Sequence, residues 1–172
     1  MRVHRLIPIA VLALTAACSE TASDPVANNG PSLAAPSTGN AHFISSFSNC
    51  SVSNTGVLTC TFKETGLSSG SVETVQIQAN VTAVFFCFNG GNNHPKAANK
   101  ETVSGVVSNI QTFEADKNGG IRGTISVGPP SPGSFSCPPG QELRLESATY
   151  TNVQISDFTS EASIGIAGTF SS

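Results

Sequence analysis

Apolar and polar residues alternate with a period of two along much of this chain. From Val75 to Cys87 the odd positions are Val75, Ile77, Ala79, Val81, Ala83, Phe85 and Cys87, and the even ones begin Gln76, Gln78, Asn80, Thr82. Successive side chains of a β-strand point to opposite faces, so this alternation predicts a half-buried strand with its odd face inward. "GIRGTISVG" repeats it, with Ile121, Gly123, Ile125 and Val127 opposed to Arg122, Thr124 and Ser126. Ile164, Ile166, Gly168 and Phe170 form a third such row. Further strands are expected near 43–52, 57–64, 102–114 and 143–156. No helical stripe appears beyond the first seventeen residues. About seven strands in one domain's length predict an all-β fold, an antiparallel β-sandwich of immunoglobulin-like architecture over residues 41–172.

Two turns are specific. In "NCSVSNTGVLTC", a three-residue loop Asn54-Thr55-Gly56 with Gly56 left-handed sets Ser53 against Val57, Val52 against Leu58 and Cys50 against Cys60. Directly opposed Cβ atoms in a sheet are close enough for a disulfide when the pair is not hydrogen-bonded. Of three possible pairings, the register favours Cys50–Cys60, which leaves Cys87 with Cys137. In "EADKNGGIRG", Asn118-Gly119 marks a second hairpin. Its Asp-x-Asn-x-Gly also begins a calcium loop, but the later oxygen ligands of such a loop are missing, so turn chemistry is the expectation.

After Thr82 the polar face changes character: Val84, Phe86 and Phe88 now occupy it, and "NGGNNHPKAANK" follows. A bare apolar patch there would mark an interaction surface. The plainer expectation is that residues 89–100, or the Pro-rich "GPPSPGSFSCPPG", fold over it. The candidate binding loop comprises Phe86, Phe88, Asn89, Asn92, Asn93, His94, Lys96, Asn99 and Lys100. An enzyme would use His94 as a base with Lys96 or Lys100 as an electrostatic helper. Downstream of residue 17 the only other histidine is His42, and no nucleophile elbow, H-E-x-x-H pair or spaced carboxylate couple is present. The expectation is therefore a protein that is not an enzyme, with no cofactor and no metal; the alternatives are a hydrolase using His94, or a purely structural envelope protein.

The N-terminus sets the compartment. "MRVHR" followed by "LIPIAVLALTAA" reads as a signal peptide over residues 1–17, too short to span a bilayer as an anchor. "LTAAC" resembles the lipobox of bacterial lipoproteins, which implies lipid on Cys18. Cysteine parity agrees: of five cysteines, Cys18 would carry lipid and four would pair in an oxidising compartment. Residues 18–40, rich in Ser, Ala, Pro, Asn and Gly, cannot bury enough apolar area to offset ordering and read as a flexible lipidated tether. Ser19 is not the Asp that resembles an inner-membrane retention signal, so an outer-membrane address is expected if the cell has two membranes. An ordinary secreted protein is the fallback.

Composition narrows the partners. Charged residues are 11% of the chain, well below the ~25% of ordinary soluble proteins. Without Arg2 and Arg5 the exported chain has 8 − 2 = 6 basic against 11 acidic residues, a net charge of −5. No basic run exists to neutralise phosphates, which excludes nucleic acid as the main partner and leaves membrane contact to the lipid anchor. A protein or glycan partner is expected, although the absence of Trp weakens the glycan case.

The runs "CFNGGNNHPKAANKETVSG", "KNG" and "SCPPGQELRLESATYTNV" resemble a group of exported bacterial proteins, many actinobacterial, with no assigned function. The resemblance spans roughly residues 45–170. It implies a secreted, β-rich domain stapled by cysteines, and it transfers no functional residue.

Overall fold

The computed structural model describes residues 40–89 and 99–172. The expected signal peptide, Cys18 and nearly all of the tether lie outside the described residues.

Among the described residues nine strands form two antiparallel sheets: β1 (His42–Phe43), β2 (Asn49–Val52), β3 (Leu58–Thr65), β4 (Val72–Asn89), β5 (Lys100–Glu114), β6 (Gly120–Val127), β7 (Gln141–Asp157), β8 (Ser163–Ile166) and β9 (Phe170–Ser171). In the smaller sheet β3 pairs with β6 along its whole length, and β1 and β2 share its other edge. In the larger sheet β5 pairs with β4, β4 with β7, and β8 and β9 share the far edge of β7. The nine segments thus fill seven sheet positions, three facing four. This is a β-sandwich of the expected immunoglobulin-like kind.

The strands differ from the expectation where tertiary pairing intervenes. The single strand expected over 43–52 is broken by a 3₁₀ turn at Ser45–Phe47, because β1 and β2 pair with opposite ends of β3. The Ser48 hydroxyl closes that turn by donating to the Ile44 carbonyl, 3.1 Å. The C-terminal row is split into β8 and β9 around Gly168, whose φ is +133°. The β2–β3 hairpin has the register that its turn predicts: Val52 faces Leu58, Cys50 faces Cys60, and Gly56 has φ +78°. The disulfides are Cys50–Cys60 and Cys87–Cys137, with Cα–Cα distances of 4.1 and 5.4 Å. At the second turn, Asp116 Oδ1 accepts the N–H groups of Asn118 (2.8 Å) and Gly120 (3.0 Å). These bonds, that from Gly120 most strongly, hold its carboxyl below the usual carboxylate range.

The core lies between the sheets, on the inward rows of β3, β4, β6 and β7. Phe62 stands edge-on to Phe43 and Phe113, with ring centroids 5.7 and 5.1 Å away. Gly123 lies directly opposite Phe62, and a Cβ there would meet both Phe62 and Phe113 at under 3 Å. Tyr150 of β7 is fully buried, and its hydroxyl donates to the Gly56 carbonyl across the sandwich, 2.6 Å. Burial pushes that phenol up to about 12. Tyr150→Phe is expected to destabilise by about 1–3 kcal/mol, because it strands a buried carbonyl. Urea unfolding of the two proteins checks this, and equal midpoints would contradict it.

Candidate functional site

The two sheets are unequal in length. β4, β5 and β7 run 18, 15 and 17 residues, whereas β3 and β6 have 8 each. The tip of the small sheet, Gly56, reaches Leu145 and Ala148. Beyond that level Phe85–Asn89, Lys100–Val103 and Gln141–Leu145 continue as an overhang of the larger sheet.

The inner side of this overhang is covered by the Pro-rich segment between β6 and β7. Ser131–Phe135 face Glu101 and Val103 across a shallow groove, and Cys137 is bonded to Cys87. The segment therefore covers the row that carries Ala83, Phe85 and Cys87, all buried. This corrects the expectation that the Pro-rich segment folds over Val84, Phe86 and Phe88. Those three point to the opposite face, because strand residues alternate and Cys87 fixes which side the segment takes.

On that opposite face Phe86 and Phe88 are half-buried, edge to face, with centroids 6.3 Å apart. Among the described residues, two cations lie over them. Lys100 Nζ lies 5.4 Å from the Phe86 ring centre, and the Arg144 guanidinium lies 5.5 Å from that of Phe88. The ladder explains the arrangement: Phe86 pairs with Lys100 on β5 and Arg144 on β7, and Phe88 pairs with Glu142. Glu142 Oε2 accepts from Arg144 Nη2 (2.6 Å) and Nε (3.1 Å). The guanidinium donors hold the Glu142 carboxyl below its usual range, and that carboxylate raises Arg144 in turn. Asn99 Nδ2 donates to Gln141 Oε1, 3.2 Å, which ties the start of β5 to the start of β7. Asn89 is the last residue of β4 and pairs with Gln141.

Phe86, Phe88, Asn89, Asn99 and Lys100 are thus brought together at one end of the sheet. Asn92, Asn93, His94 and Lys96 lie outside the described residues. Arg144 and Glu142 were missed by the sequence reading, although "QELRLES" carries the signal: Glu142 and Arg144 alternate with Leu143 and Leu145. Chemically, the patch offers aromatic faces and edges beside two cations, one of them already paired. Such a surface suits a group that is apolar on one side and anionic on the other.

A second cluster lies at the other end of the sandwich. Glu64 at the end of β3, Glu73 at the start of β4 and Asp157 at the end of β7 are 0%, 1% and 1% exposed. Glu64 Oε1 accepts from the Ser160 hydroxyl (2.8 Å), Glu73 Oε1 from the Ser71 hydroxyl, and Asp157 Oδ1 from the Thr159 N–H (2.8 Å). The second oxygen of each carboxyl is buried without a hydrogen-bond partner. Burial pushes Glu64 up to about 7, with the neighbouring acids adding to the effect, and it raises Glu73 as well. Among the described residues, no group of three His, Cys, Asp or Glu side chains is arranged to hold a metal ion. Glu64 and Glu73 thus favour their protonated forms, because burial penalises the charged carboxylate.

No family model matches the sequence, and no curated relative matches it. Among solved structures, the chain is similar to the solution structure of R. palustris CsgH. The two share 12% identity over 76% of this chain and 89% of that one, with a TM-score of 0.23. A likeness at that level carries no argument about this chain.

Proposed function

We propose that this protein is a non-enzymatic binding module of the cell envelope, carried on a tether that begins at a lipidated Cys18. Its two disulfides fit an oxidising, extracytoplasmic compartment. The lipid and the tether rest on the sequence pattern at 1–40. The contact surface is the outer face of the overhang, formed by Phe86, Phe88, Lys100 and Arg144, and the partner is a protein segment with acidic groups beside apolar ones. The observation that carries the reading is the pair of cations held over half-buried phenylalanines. That combination resembles the aromatic and arginine anchors around which protein interfaces are built.

The test is an NMR titration of the isotopically labelled, oxidised full exported chain with short peptides that differ in acidity and apolar content. Acidic-apolar peptides are expected to shift the amides of residues 86–89, 99–102 and 142–145, and Lys100→Glu with Arg144→Glu is expected to abolish the shifts. Peptides that bind elsewhere, or bind the double variant equally well, would refute the assignment.

A further inference from the structure

Strand β5 is the least covered of the long strands. Not one of its fifteen residues is buried, and among the described residues it pairs on one side only, with β4. An open edge exposes a row of N–H and C=O groups, and folded proteins blunt such edges with short strands, lysines, prolines or bulges. The other edges of this sandwich are blunted. β1, β2, β8 and β9 have two to four residues each. On β6, the Ser126 carbonyl is taken by Asn109 Nδ2 at 2.8 Å, and Pro129 and Pro130 follow the strand. β5 has none of these devices in its middle. Thr102–Phe113 contains no charge and no proline. The β4–β5 register runs unbroken through fifteen pairs, whereas β4–β7 has two shifts.

The geometry identifies the groups that face outward. Thr74 O accepts from Phe158 N–H, 2.9 Å, and Thr74 N–H donates to Thr159 Oγ1, 3.1 Å, so the even residues of β4 bond toward β7. Its odd residues then bond toward β5, and their partners there are also odd. The even residues of β5 are left to present their backbone groups to the open edge. One of these donors, Ile110 N–H, is already held by Asn109 Oδ1 at 3.0 Å.

We propose that this edge pairs with the same edge of a second copy, antiparallel about a two-fold axis at Val107. The choice of occupant follows from self-complementarity. In this register Val106 faces Ser108 of the second copy, Ser104 faces Ile110, and Thr102 faces Thr112. Lys100 then lies opposite Glu114, so the only charges on these outward-bonding positions meet their opposites at both ends. Val106 and Ile110, 63% and 53% exposed, are two of the five large apolar side chains that stand most open to solvent among the described residues. Diagonal neighbours across a strand pair are within reach of one another, and the two-fold gathers both residues of both copies into one apolar cluster. The Ser104–Ile110 pair keeps one of its two ladder bonds, because Asn109 occupies the other donor. The result is a continuous sheet across two sandwiches, with an aromatic-cation patch at each far end.

Sedimentation equilibrium of the oxidised full exported chain tests this, with Cys18→Ser to remove the site of lipid attachment. The expected result is a reversible dimer. Val106→Lys with Ile110→Lys is expected to weaken it by about tenfold or more, a change of about 1.4 kcal/mol, with the thermal midpoint of the monomer kept because both side chains are exposed. Lys100→Glu alone should also weaken it, and adding Glu114→Lys should restore it. Val107→Cys should form an intermolecular disulfide, since Val107 meets its own copy at a non-hydrogen-bonded pair; Gly105→Cys should not. A monomer at every concentration up to about 1 mM would overturn the proposal. A dimer indifferent to the lysine variants and to the charge exchange would overturn it equally.

Discussion

Replacing Cys87 and Cys137 together by alanine is expected to lower the unfolding free energy by about 4 kcal/mol, against about 3 kcal/mol for the Cys50–Cys60 pair. The bridges span separations of 50 and 10 residues, and a longer closed loop withholds more entropy from the unfolded chain. Structure widens the gap. Cys50–Cys60 joins residues already opposed in a ladder, so the hairpin keeps its register without the bond. Cys87–Cys137 holds the Pro-rich segment over the overhang, and its loss exposes the inner row at Phe85 and Ala83. Urea unfolding of the two paired variants at one pH measures the difference. A Cys50/Cys60 variant less stable than the Cys87/Cys137 variant would contradict the account.

The protein is also expected to lose stability as pH rises from about 5 to about 7.5, the reverse of a protein held by ion pairs. Glu64 titrates near 4.5 when unfolded and at about 7 when folded. Between those values the native state binds the extra proton, so the stability this proton contributes is complete below 4.5 and is lost as pH passes through 7. The contribution is roughly 3 kcal/mol. Glu73 is raised by burial as well and acts in the same direction. Asp116, whose carboxyl is lowered by backbone donors, acts oppositely, but its window lies below the usual carboxylate range. Glu64→Gln should therefore raise stability at pH 8 by roughly 3 kcal/mol and do little at pH 4.5. The amide oxygen can still accept from Ser160, and its N–H groups face carboxylates that lack a donor. Unfolding curves at the two pH values decide the matter. A wild-type profile flat across this range, or a variant with the wild-type slope, would exclude this titration of Glu64.

What could be read from the sequence was local. Asn54-Thr55-Gly56 determines the β2–β3 register because turn geometry acts over a few residues, and from that register the bridge follows. Alternation identified the inward row of β4 and the change of face at Val84. Pairing over distance was hidden. Lys100 and Arg144 come to the two phenylalanines from strands that meet β4 only in the folded sheet. No local signal tells which side of that sheet the 128–140 segment will take. The acidic cluster is an intermediate case. Glu64 follows Leu58, Cys60 and Phe62 on an inward row, Glu73 precedes Val75 and Ile77, and Asp157 follows Val153 and Ile155. Each residue could be seen to point inward, but their meeting at one end of the sandwich depends on three strands stacking in register.

The order of the bridges has a bearing on how the chain matures. Counted from the N-terminus of the domain, the first cysteine bonds the second and the third bonds the fourth. A chain that emerges N-terminus first presents Cys60 while Cys50 is the one earlier cysteine of the domain, and the hairpin turn brings them together. Cys87 then waits for Cys137 with no other open thiol of the domain beside it. Consecutive connectivity thus asks only for an oxidant, whereas an interlaced pattern would need wrong bridges to be broken and remade.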